Sequence, residues 1–495
     1  MAIPKVCGIE TEYGIQLVGP GDANPITASS VLINAYLAEV KRRVGWDFED
    51  ESPGRDARGF AREGSMAPVV ETHLVNAVLT NGARYYVDHA HPEYSAPECA
   101  NALDAVKWDR AGETILVRSM VAAASSLPPT QRIVVYKNNS DGKGNSYGCH
   151  ENYLMDRSVP FARIVAGITP HFVTRQLYAG AGKVGTELPG GTDAPVHFQL
   201  SQRADFFEEE VGLETTLKRP IVNTRDEPHA DTKKYRRFHV IVGDANLSEV
   251  ATFLKVGTTS LVLAMIEDDF GGGRDLTLAN PVKAIREISW DPTLSTAVEL
   301  ADGSKMTGLE IQWELLDRAH RYADAAGLEA LGGAGSDLLA RWESTLSALE
   351  TDPMSLKHQL DWVAKLSLLD AYRERDGIAW DNPKMSALDL QYHDLRPERS
   401  LFARLGMEKL VDRQDVEDAV LEPPRNTRAY FRGKCLQRWA GSITAANWDS
   451  LVFDLGSDPL RRVPMMEPLR GTAEVVDKLL DGCSTPAELV ARLGS

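Results

Sequence analysis

The stretch RYYVDHAHPEYSAPE at residues 84–98 contains more polar and charged side chains, in one predicted β-strand and the residues that follow it, than a purely structural strand needs. Arg84, Tyr86 and Asp88 alternate with an aromatic and an aliphatic residue, so these three side chains would share one strand face. The strand is predicted to stop at His89-Ala90-His91-Pro92, because proline has no amide hydrogen for the sheet ladder. Oxygen-rich sets of this kind suit Mg²⁺ that holds phosphates, with arginine as the phosphate partner. The alternative is an edge strand with a solvated polar face.

Other predicted strands repeat this division into an apolar face and a face of acids, imidazoles, amides and arginines. The solvated face of an antiparallel sheet normally carries lysine, threonine and serine, so the recurrence predicts a shared cradle that binds charge. From residue 247 onward the periodicity is mostly helical. The polar faces fall on Glu10 and Glu12, on His150 and Asn152, on His197, Gln199, Ser201 and Arg203, and on Arg237, His239 and Ile241.

Composition bounds the class of protein. A chain of 495 residues exceeds one ordinary core, so one very large domain or two are expected. The formal net charge of −17 disfavours nucleic acid and anionic membranes as partners. No run of 18 apolar residues occurs, and the N-terminal segment carries acids where a signal peptide needs an apolar core. Scattered cysteines without CxxC spacing indicate reduced thiols in a cytoplasmic protein and argue against a zinc site.

Two domains are predicted, a catalytic domain over 1–425 and a small C-terminal α/β domain over 426–495. Residues 47–65 are rich in acids, glycine and arginine and poor in aliphatics, which predicts a mobile insertion loop. The segment 422–439 is interpreted as a linker that leads into a basic strand. The C-terminal domain is predicted to contain a strand near 450–454 and two short helices, at 472–480 and 485–493.

The residues alone indicate a metal and phosphate site without a P-loop, since GxxxxGK[ST] does not occur. Asp88 has no neutralising residue beside it on the polar face and is predicted to be the general base or the nucleophile. A histidine taken singly is more often a structural group than a ligand, so the set carries the prediction. The candidates for one or two metal ions are Glu10, Tyr86, Glu93, His150 and His239, and those for a triphosphate are Arg84, Arg203, Arg219 and Arg225.

Five long motifs resemble the Pup ligase and Pup deamidase/depupylase family, and the resemblance covers essentially the whole chain. It implies the carboxylate–amine ligase fold of glutamine synthetase: α+β, with a curved antiparallel sheet cradle backed by helices and a small C-terminal α/β domain. Within the family the sequence resembles the hydrolytic branch, because it has Asp-His-Ala-His-Pro-Glu-Tyr where the ligase branch is one residue longer, and because it carries an insertion before Arg84. The motifs are GIETEYG (8–14), NGARYYVDHAHPEYSAPEC (81–99), NSYGCHENYL (145–154), RPIVNTRDEPHAD (219–231) and RRFHVIVGDANLSE (236–249).

The resemblance also implies residue roles. Asp88 matches the catalytic aspartate of the family. Trp439 matches a tryptophan near the nucleotide base, for which core packing is the alternative. The implied Mg²⁺ ligands are Glu10, Tyr86, Glu93, His150 and His239, the implied nucleotide contacts are Ile9, Ser95, Ala96, Asn152 and Ile241, and the implied phosphate contacts are Arg84 and Arg225.

The implied activity is deamidation of the C-terminal glutamine of Pup, a small disordered ubiquitin-like modifier, and hydrolysis of the isopeptide bond between Pup and a target lysine. The implied cofactors are Mg²⁺ and ATP, or ADP with phosphate, and the implied partners are Pup and pupylated proteins. A local groove of Lys233, Lys234, Arg236, Arg237 and Arg203 is expected to receive acidic Pup. Three alternatives stay open: a Pup–protein ligase, a small-molecule carboxylate–amine ligase, and a non-catalytic Pup-binding adaptor.

Overall fold

A computed structural model describes residues 1–21, 24–41, 44–49, 51–52, 54–59, 74–188, 195–456 and 459–494. Its strands are β1 Cys7–Glu12, β2 Gly14–Val18, β3 Val44–Trp46, β4 Asn76–Val78, β5 Arg84–Asp88, β6 His91–Ser95, β7 Arg132–Tyr136, β8 Cys149–Asp156, β9 Lys183–Val184, β10 Phe198–Gln199, β11 Phe207–Gly212, β12 Arg219–Asn223, β13 Tyr235–Val240, β14 Ala297–Glu299, β15 Lys305–Thr307, β16 Ile443–Ala446, β17 Ser450–Phe453 and β18 Arg461–Pro464. Its helices are α1 Pro25–Glu39, α2 Ala102–Ala124, α3 Phe161–Thr174, α4 Gln176–Ala179, α5 Glu249–Glu267, α6 Pro281–Ser289, α7 Gly308–Ala326, α8 Gly335–Thr351, α9 Asp361–Asp376, α10 Pro383–Tyr392, α11 Arg413–Ala419, α12 Ala429–Trp439, α13 Ala473–Asp481 and α14 Pro486–Leu493.

One curled ten-stranded sheet organises the molecule, in the order β13-β8-β1-β6-β5-β4-β3-β16-β17-β18. Neighbouring strands are antiparallel except for β3 and β16, which run parallel. Helices α1, α2 and α5 pack against the strands of one face. Strand alternation therefore buries Ile9 and Thr11 in the core while Glu10 and Glu12 face the open side. The predicted α+β fold, with a curved sheet backed by helices, is confirmed.

The Arg84 strand ends at Asp88, before His89-Ala90-His91-Pro92 as predicted, but Pro92 is not the cause, because β5 and β6 form a hairpin through the two-residue turn His89-Ala90 and Pro92 lies inside β6. Val87 pairs with Pro92, but the Val87 amide donates to Val75 O on the opposite neighbour at 3.0 Å. The missing proline N–H therefore costs the β5–β6 ladder nothing, and the Pro92 carbonyl still accepts from Tyr13 N.

Helix α5 forms the centre of the main hydrophobic core. Ser248 caps it, since its hydroxyl accepts a hydrogen bond from Ala251 N. By length and composition α5 would pass for a membrane span, with a mean hydropathy of 1.5, but 94% of that window is buried inside the protein. Within the described residues it is therefore best explained as a core helix.

The C-terminal region contains the predicted strand and helices, as β17, α13 and α14, but residues 429–439 form helix α12 and not a basic strand. Arg428 and Arg432 lie four residues apart, so both reach the same carboxylate, Glu98, from one side. A second hydrophobic core joins α12, α13 and α14 to Val44, Trp46 and Val78 of the N-terminal strands. The boundary at 425 stays a prediction, since this core and the sheet both cross it.

One other secondary-structure prediction is wrong, and another is tested only in part. Residues 196–205 form only the two-residue strand β10, followed by a 3₁₀ turn at Ala204–Phe206, so the predicted alternation over that stretch does not exist. Part of the predicted loop 47–65 is tied to the cradle: Ala57 N donates to Thr224 O at 2.8 Å and Asp226 N donates to Arg55 O at 2.9 Å. Residues 50, 53 and 60–65 lie outside the described residues, and the mobility of the loop stays a prediction.

Replacing Arg432 should destabilise the protein strongly. Its guanidinium is fully buried and bonds the Glu98 carboxylate, Gly82 O and Trp448 O. Arg432→Met leaves these acceptors short of a donor, and we expect a loss of about 3–5 kcal/mol, seen as a lower midpoint of thermal unfolding. The matched control is Arg438→Met, which breaks a surface pair with Asp481 and should cost under about 1 kcal/mol. Equal losses for the two variants would contradict this assignment.

The same cluster predicts a pH dependence. Burial alone would raise the pKa of Glu98, but Arg432 and Arg428 outweigh it and lower the pKa to about 2, against an ordinary value of 4.5. A pKa lower in the folded state contributes stability that is present above pH 4.5 and is lost as the pH falls toward 2. Thermal unfolding of Glu98→Gln should therefore depend less on pH than that of the unmodified protein over this interval. Parallel curves would show that Glu98 does not contribute in this way.

Candidate active site

The open face of the sheet lines a cleft of about 990 Å³. Its walls are the strands from β13 to β5, the segment after β12, and side chains from the C-terminal region. Most of the residues predicted to form a site line this one cleft. They are Glu10, Arg84, Tyr86, Asp88, Glu93, Ser95, Ala96, His150, Asn152, Arg225 and His239.

Strand register explains why residues so distant in sequence meet. Each strand contributes alternate residues to the open face, and cross-strand partners lie about 4.5–5.5 Å apart at their Cβ atoms. The pairings put the acids, the phenol and the imidazole in two adjacent rows across the sheet. The rows are Glu12–Glu93–Tyr86 and His150–Glu10–Ser95–Arg84.

A first group of possible metal ligands is Glu10, His150 and His239, with ligand atoms within 4.8 Å of one another. Asn152 Nδ2 donates to Glu10 Oε1 at 2.8 Å, and Arg237 donates to Asn152 Oδ1 at 2.6 Å. Burial alone would raise the pKa of Glu10, but the hydrogen bond to His150 and the charges of His239 and Arg237 hold it well below its usual range. Glu10 is therefore an ionised carboxylate.

A second group is Glu12, Asp88 and Glu93, again within 4.8 Å. Burial and then the charges of Asp88, Glu12 and Glu10 raise the pKa of Glu93 well above its ordinary value. Burial also opposes ionisation of Asp88, but the hydrogen bond to His89 and its charge lower the pKa of Asp88. Burial raises the pKa of Tyr86 well above its ordinary value, so this residue is a neutral phenol beside Glu93.

Two observations indicate that these groups of residues suit a divalent cation. His239 Nε2 is buried and has no hydrogen-bond partner among the described residues, so a ring nitrogen is available inside the first group. In the second group three carboxylates repel one another, and a cation between them would let all three ionise. Carboxylate oxygens with imidazole are a donor set that Mg²⁺ or Mn²⁺ accepts.

Two arginines, the buried Arg203 and the partly buried Arg219, line the cleft beyond Glu12. Arg203 donates to Ile241 O at 2.5 Å and Gly243 O at 3.1 Å, and Arg219 donates to Ser146 O at 3.0 Å. Burial and the charge of Arg219 lower the pKa of Arg203 to about 10. Within the described residues no carboxylate lies within 4 Å of either guanidinium. The arrangement suits an anionic group in the cleft.

Three predicted contacts lie outside the cleft. Ile9 alternates with Glu10 and faces the core, and Ile241 follows the end of β13 and is fully buried. Trp439 ends α12 and packs against the C-terminal hydrophobic core. Trp448, from the turn between β16 and β17, lines the cleft instead. The structure places these three side chains away from the cleft, and their contacts with a nucleotide stay predictions.

The predicted basic groove does not form, because its members point in different directions. Arg203 and Arg237 line the cleft. Arg236, on the other face of β13, is buried against the ring of Phe161 at 5.3 Å. Lys234 pairs with Glu467 at the surface. Alternation along β13 alone would have separated Arg236 from Arg237.

Glu12, Arg237 and Trp448 line the cleft but were not among the predicted metal, nucleotide or phosphate contacts. Glu12 and Arg237 each lie two positions from a predicted ligand on the same strand face, so alternation was a usable signal for both. Trp448 had no such signal, since its position depends on how the C-terminal strands join the sheet.

Comparison with known proteins identifies the family. The family model described as Pup-ligase protein matches residues 5–452. The chain belongs to the Pup-ligase protein family. The chain is 54% identical to a depupylase of Acidothermus cellulolyticus and 51% identical to a Pup deamidase/depupylase of Mycolicibacterium smegmatis, each over 99% of both chains. It is 40% identical to a Pup–protein ligase of Acidimicrobium ferrooxidans, over 96% of this chain and 98% of that one.

Solved structures of the family share the fold. A complex between the prokaryotic ubiquitin-like protein Pup and its ligase PafA superposes with a TM-score of 0.80 at 33% identity, covering 97% of this chain and 92% of that one. A Pup ligase PafA in complex with ADP gives a TM-score of 0.74 at 37% identity, covering 82% and 89%. The fold of this family member therefore matches that of the ligases, although its most similar relatives named above are hydrolases.

Magnesium should stabilise the protein through the second acidic group. A ligand that binds only the folded state at a hundredfold excess over its Kd adds about 2.7 kcal/mol. We expect Mg²⁺ to raise the midpoint of thermal unfolding, and Glu93→Gln to reduce that rise because it removes one carboxylate from the group. The control is Glu343→Gln on the exposed side of α8, which should respond like the unmodified protein. An undiminished rise in Glu93→Gln would argue against this cation site.

Proposed function

We propose that the protein is a nucleotide- and Mg²⁺-dependent amidohydrolase that deamidates the C-terminal glutamine of Pup and hydrolyses the Pup–lysine isopeptide bond. The observation that carries the proposal is an aspartate, Asp88, at the turn of the β5–β6 hairpin beside two groups of cation ligands. The full-length identity of 54% and 51% to proteins named as depupylases supports it.

Asp88 is placed to act on an amide that enters the cleft. Its side chain is 35% exposed, and His89 Nδ1 lies 3.0 Å from its Oδ2. As a carboxylate with a lowered pKa it is ready either to attack the side-chain amide carbon or to take a proton from the attacking water. In both routes the C–N bond of the amide breaks. Water supplies the new oxygen on the carbonyl carbon and the proton with which ammonia or the lysine amine leaves.

The other cleft residues would hold the cofactors. Glu10, His150 and His239 in one group, and Glu12 with Glu93 in the other, are the donors available to Mg²⁺. When bound, Mg²⁺ and the nucleotide would orient the substrate amide and polarise its carbonyl. Arg84 and Arg225 are the predicted phosphate contacts. The nucleotide, ATP or ADP with phosphate, is a cofactor in this proposal and is not consumed in each turnover.

The predicted partners are Pup and pupylated proteins, and the predicted location is the cytoplasm. The first supporting observation is that the PafA structure with the TM-score of 0.80 is a complex of Pup with its ligase, which has the same fold. The second is that the five cysteines are all free and buried, as a reducing compartment permits.

Two alternatives to the hydrolase can be compared with it. A Pup–protein ligase would use the same cleft, and the identity to a named ligase is lower, 40%, than to the named hydrolases. A non-catalytic Pup-binding adaptor would not need Asp88 or two groups of cation ligands on one sheet face. The site therefore favours an enzyme over the adaptor, and the higher identity to the named hydrolases favours the hydrolase over the ligase.

The test is to incubate the protein with Mg²⁺, ATP and Pup ending in glutamine, and to follow the mass gain of about one dalton by mass spectrometry. We expect conversion by the unmodified protein and none by Asp88→Asn, because the amide cannot serve as nucleophile or base. Binding of Mg·ADP to Asp88→Asn, measured by calorimetry, is the control for an intact site.

Each outcome decides between the candidates. ATP-dependent joining of glutamate-ended Pup to a lysine-containing protein, without deamidation, would make the protein a ligase. Binding of Pup without either reaction would leave the adaptor. Conversion by Asp88→Asn at the unmodified rate would remove Asp88 from the mechanism.

A further inference from the structure

The guanidinium of Arg84 lies over two aromatic rings at the edge of the cleft. Its Cζ is 4.0 Å from the ring centroid of Trp46 and 3.9 Å from that of Tyr86. Arg84 Nε donates to Asn76 Oδ1 at 3.0 Å. We call Trp46, Arg84 and Tyr86 the arginine clamp. Within it Arg84 and Tyr86 line the cleft, whereas Trp46 lies behind Arg84 and does not.

The sheet places Trp46 there. Gly45 pairs with Ala77, so the next residue, Trp46, lies beside Asn76, and Asn76 pairs with Tyr86. Trp46, Asn76 and Tyr86 thus form one row across β3, β4 and β5. Trp46 is 6% exposed, and its ring also meets Trp448 edge-on at 5.3 Å. The position of Trp46 is therefore fixed by β4 on one side of β3 and by Trp448, from the turn between β16 and β17, on the other.

An arginine held in this way keeps its donors for a ligand. Ring faces attract the guanidinium through the cation–π interaction without occupying its N–H groups. A single hydrogen bond from Nε fixes the plane, so the two Nη groups stay available at the cleft. A free arginine side chain would lose more rotamer entropy on binding a phosphate.

We propose that Trp46 is a positioning residue that strengthens nucleotide binding through Arg84 alone. This inference rests on the proposed function, in which Arg84 contacts a phosphate. Trp46 itself does not line the cleft. Its contribution is to hold the Arg84 guanidinium in the orientation that a phosphate requires.

Trp46 has a second contact that must be separated from the first. Its Nε1 donates to Glu51 Oε1 at 2.7 Å, and that carboxylate lies 3.9 Å from Arg84 Nη1. Trp46→Phe keeps a ring face for Arg84 and removes the hydrogen bond to Glu51. Trp46→Leu removes both.

The experiment is calorimetric titration of the full-length protein with ADP in the presence of Mg²⁺. We expect Trp46→Leu to bind about ten times more weakly and Trp46→Phe to stay within about threefold of the unmodified protein. Because the effect passes through Arg84, adding Trp46→Leu to Arg84→Lys should cause little further loss. At saturating nucleotide, kcat for Pup deamidation by Trp46→Leu should stay near that of the unmodified protein.

The matched control is Trp380→Leu. Trp380 also carries an arginine over its ring, Arg373 at 5.7 Å, but lies away from the cleft. It should leave ADP binding unchanged, and the midpoint of thermal unfolding without nucleotide should report any general loss of stability in each variant.

Three results would overturn the inference. Unchanged ADP affinity in Trp46→Leu would show that the clamp does not matter. Losses that add in the double variant would show that Trp46 does not act through Arg84. An equal loss in Trp46→Phe would assign the effect to Glu51. If the unmodified protein bound no ADP, the nucleotide part of the proposed function would fail, which is a different result from any of these three.

Discussion

Like charge concentrated on one sheet face is the constraint on which the rest of the structure depends. Glu10, Glu12, Asp88 and Glu93 share the open side of three neighbouring strands, and ligand atoms within each group lie within 4.8 Å. At that separation and an effective dielectric constant of 20, two unit charges repel by about 3 kcal/mol. Such a face is tolerated only where cations, imidazoles and arginines compensate it.

The surrounding structure supplies that compensation in layers. His150 and His239 lie beside Glu10. Arg237 donates to Asn152, and Asn152 contacts both Glu10 and His239. Burial, and then the charges of Asp88, Glu12 and Glu10, raise the pKa of Glu93, whereas His150, His239 and Arg237 outweigh burial and lower the pKa of Glu10. The geometry therefore leaves the larger uncompensated charge next to Asp88, where a bound divalent cation would have the greatest effect on chemistry.

The C-terminal region is part of the same site and not an appendage. Strand β16 extends the sheet beside β3, and this brings Trp448 to the cleft and against Trp46. Arg428 bonds Glu98, His229 O and Met465 O, so one buried side chain joins the cradle, the loop after β12 and the C-terminal strands. A hydrolase and a ligase can share this framework, because a fold positions the residues of a site without determining the reaction that they carry out.

Sequence alternation was enough to assign the polar faces of β1, β5, β8 and β13 and the residue types that would meet there, but it was wrong over 196–205. Alternation is a local property, so Glu10 with Glu12 and Arg237 with His239 could be assigned to the cleft without a structure. Tertiary structure alone decided the partners. Glu12 meets Glu93, and Glu10 meets His150, through hydrogen-bonded registers between strands far apart in the chain. No local pattern showed that 429–439 is helical, with Arg432 bonded to Glu98, or that Trp448 lines the cleft, since Trp448 is placed by the parallel pairing of β16 with β3.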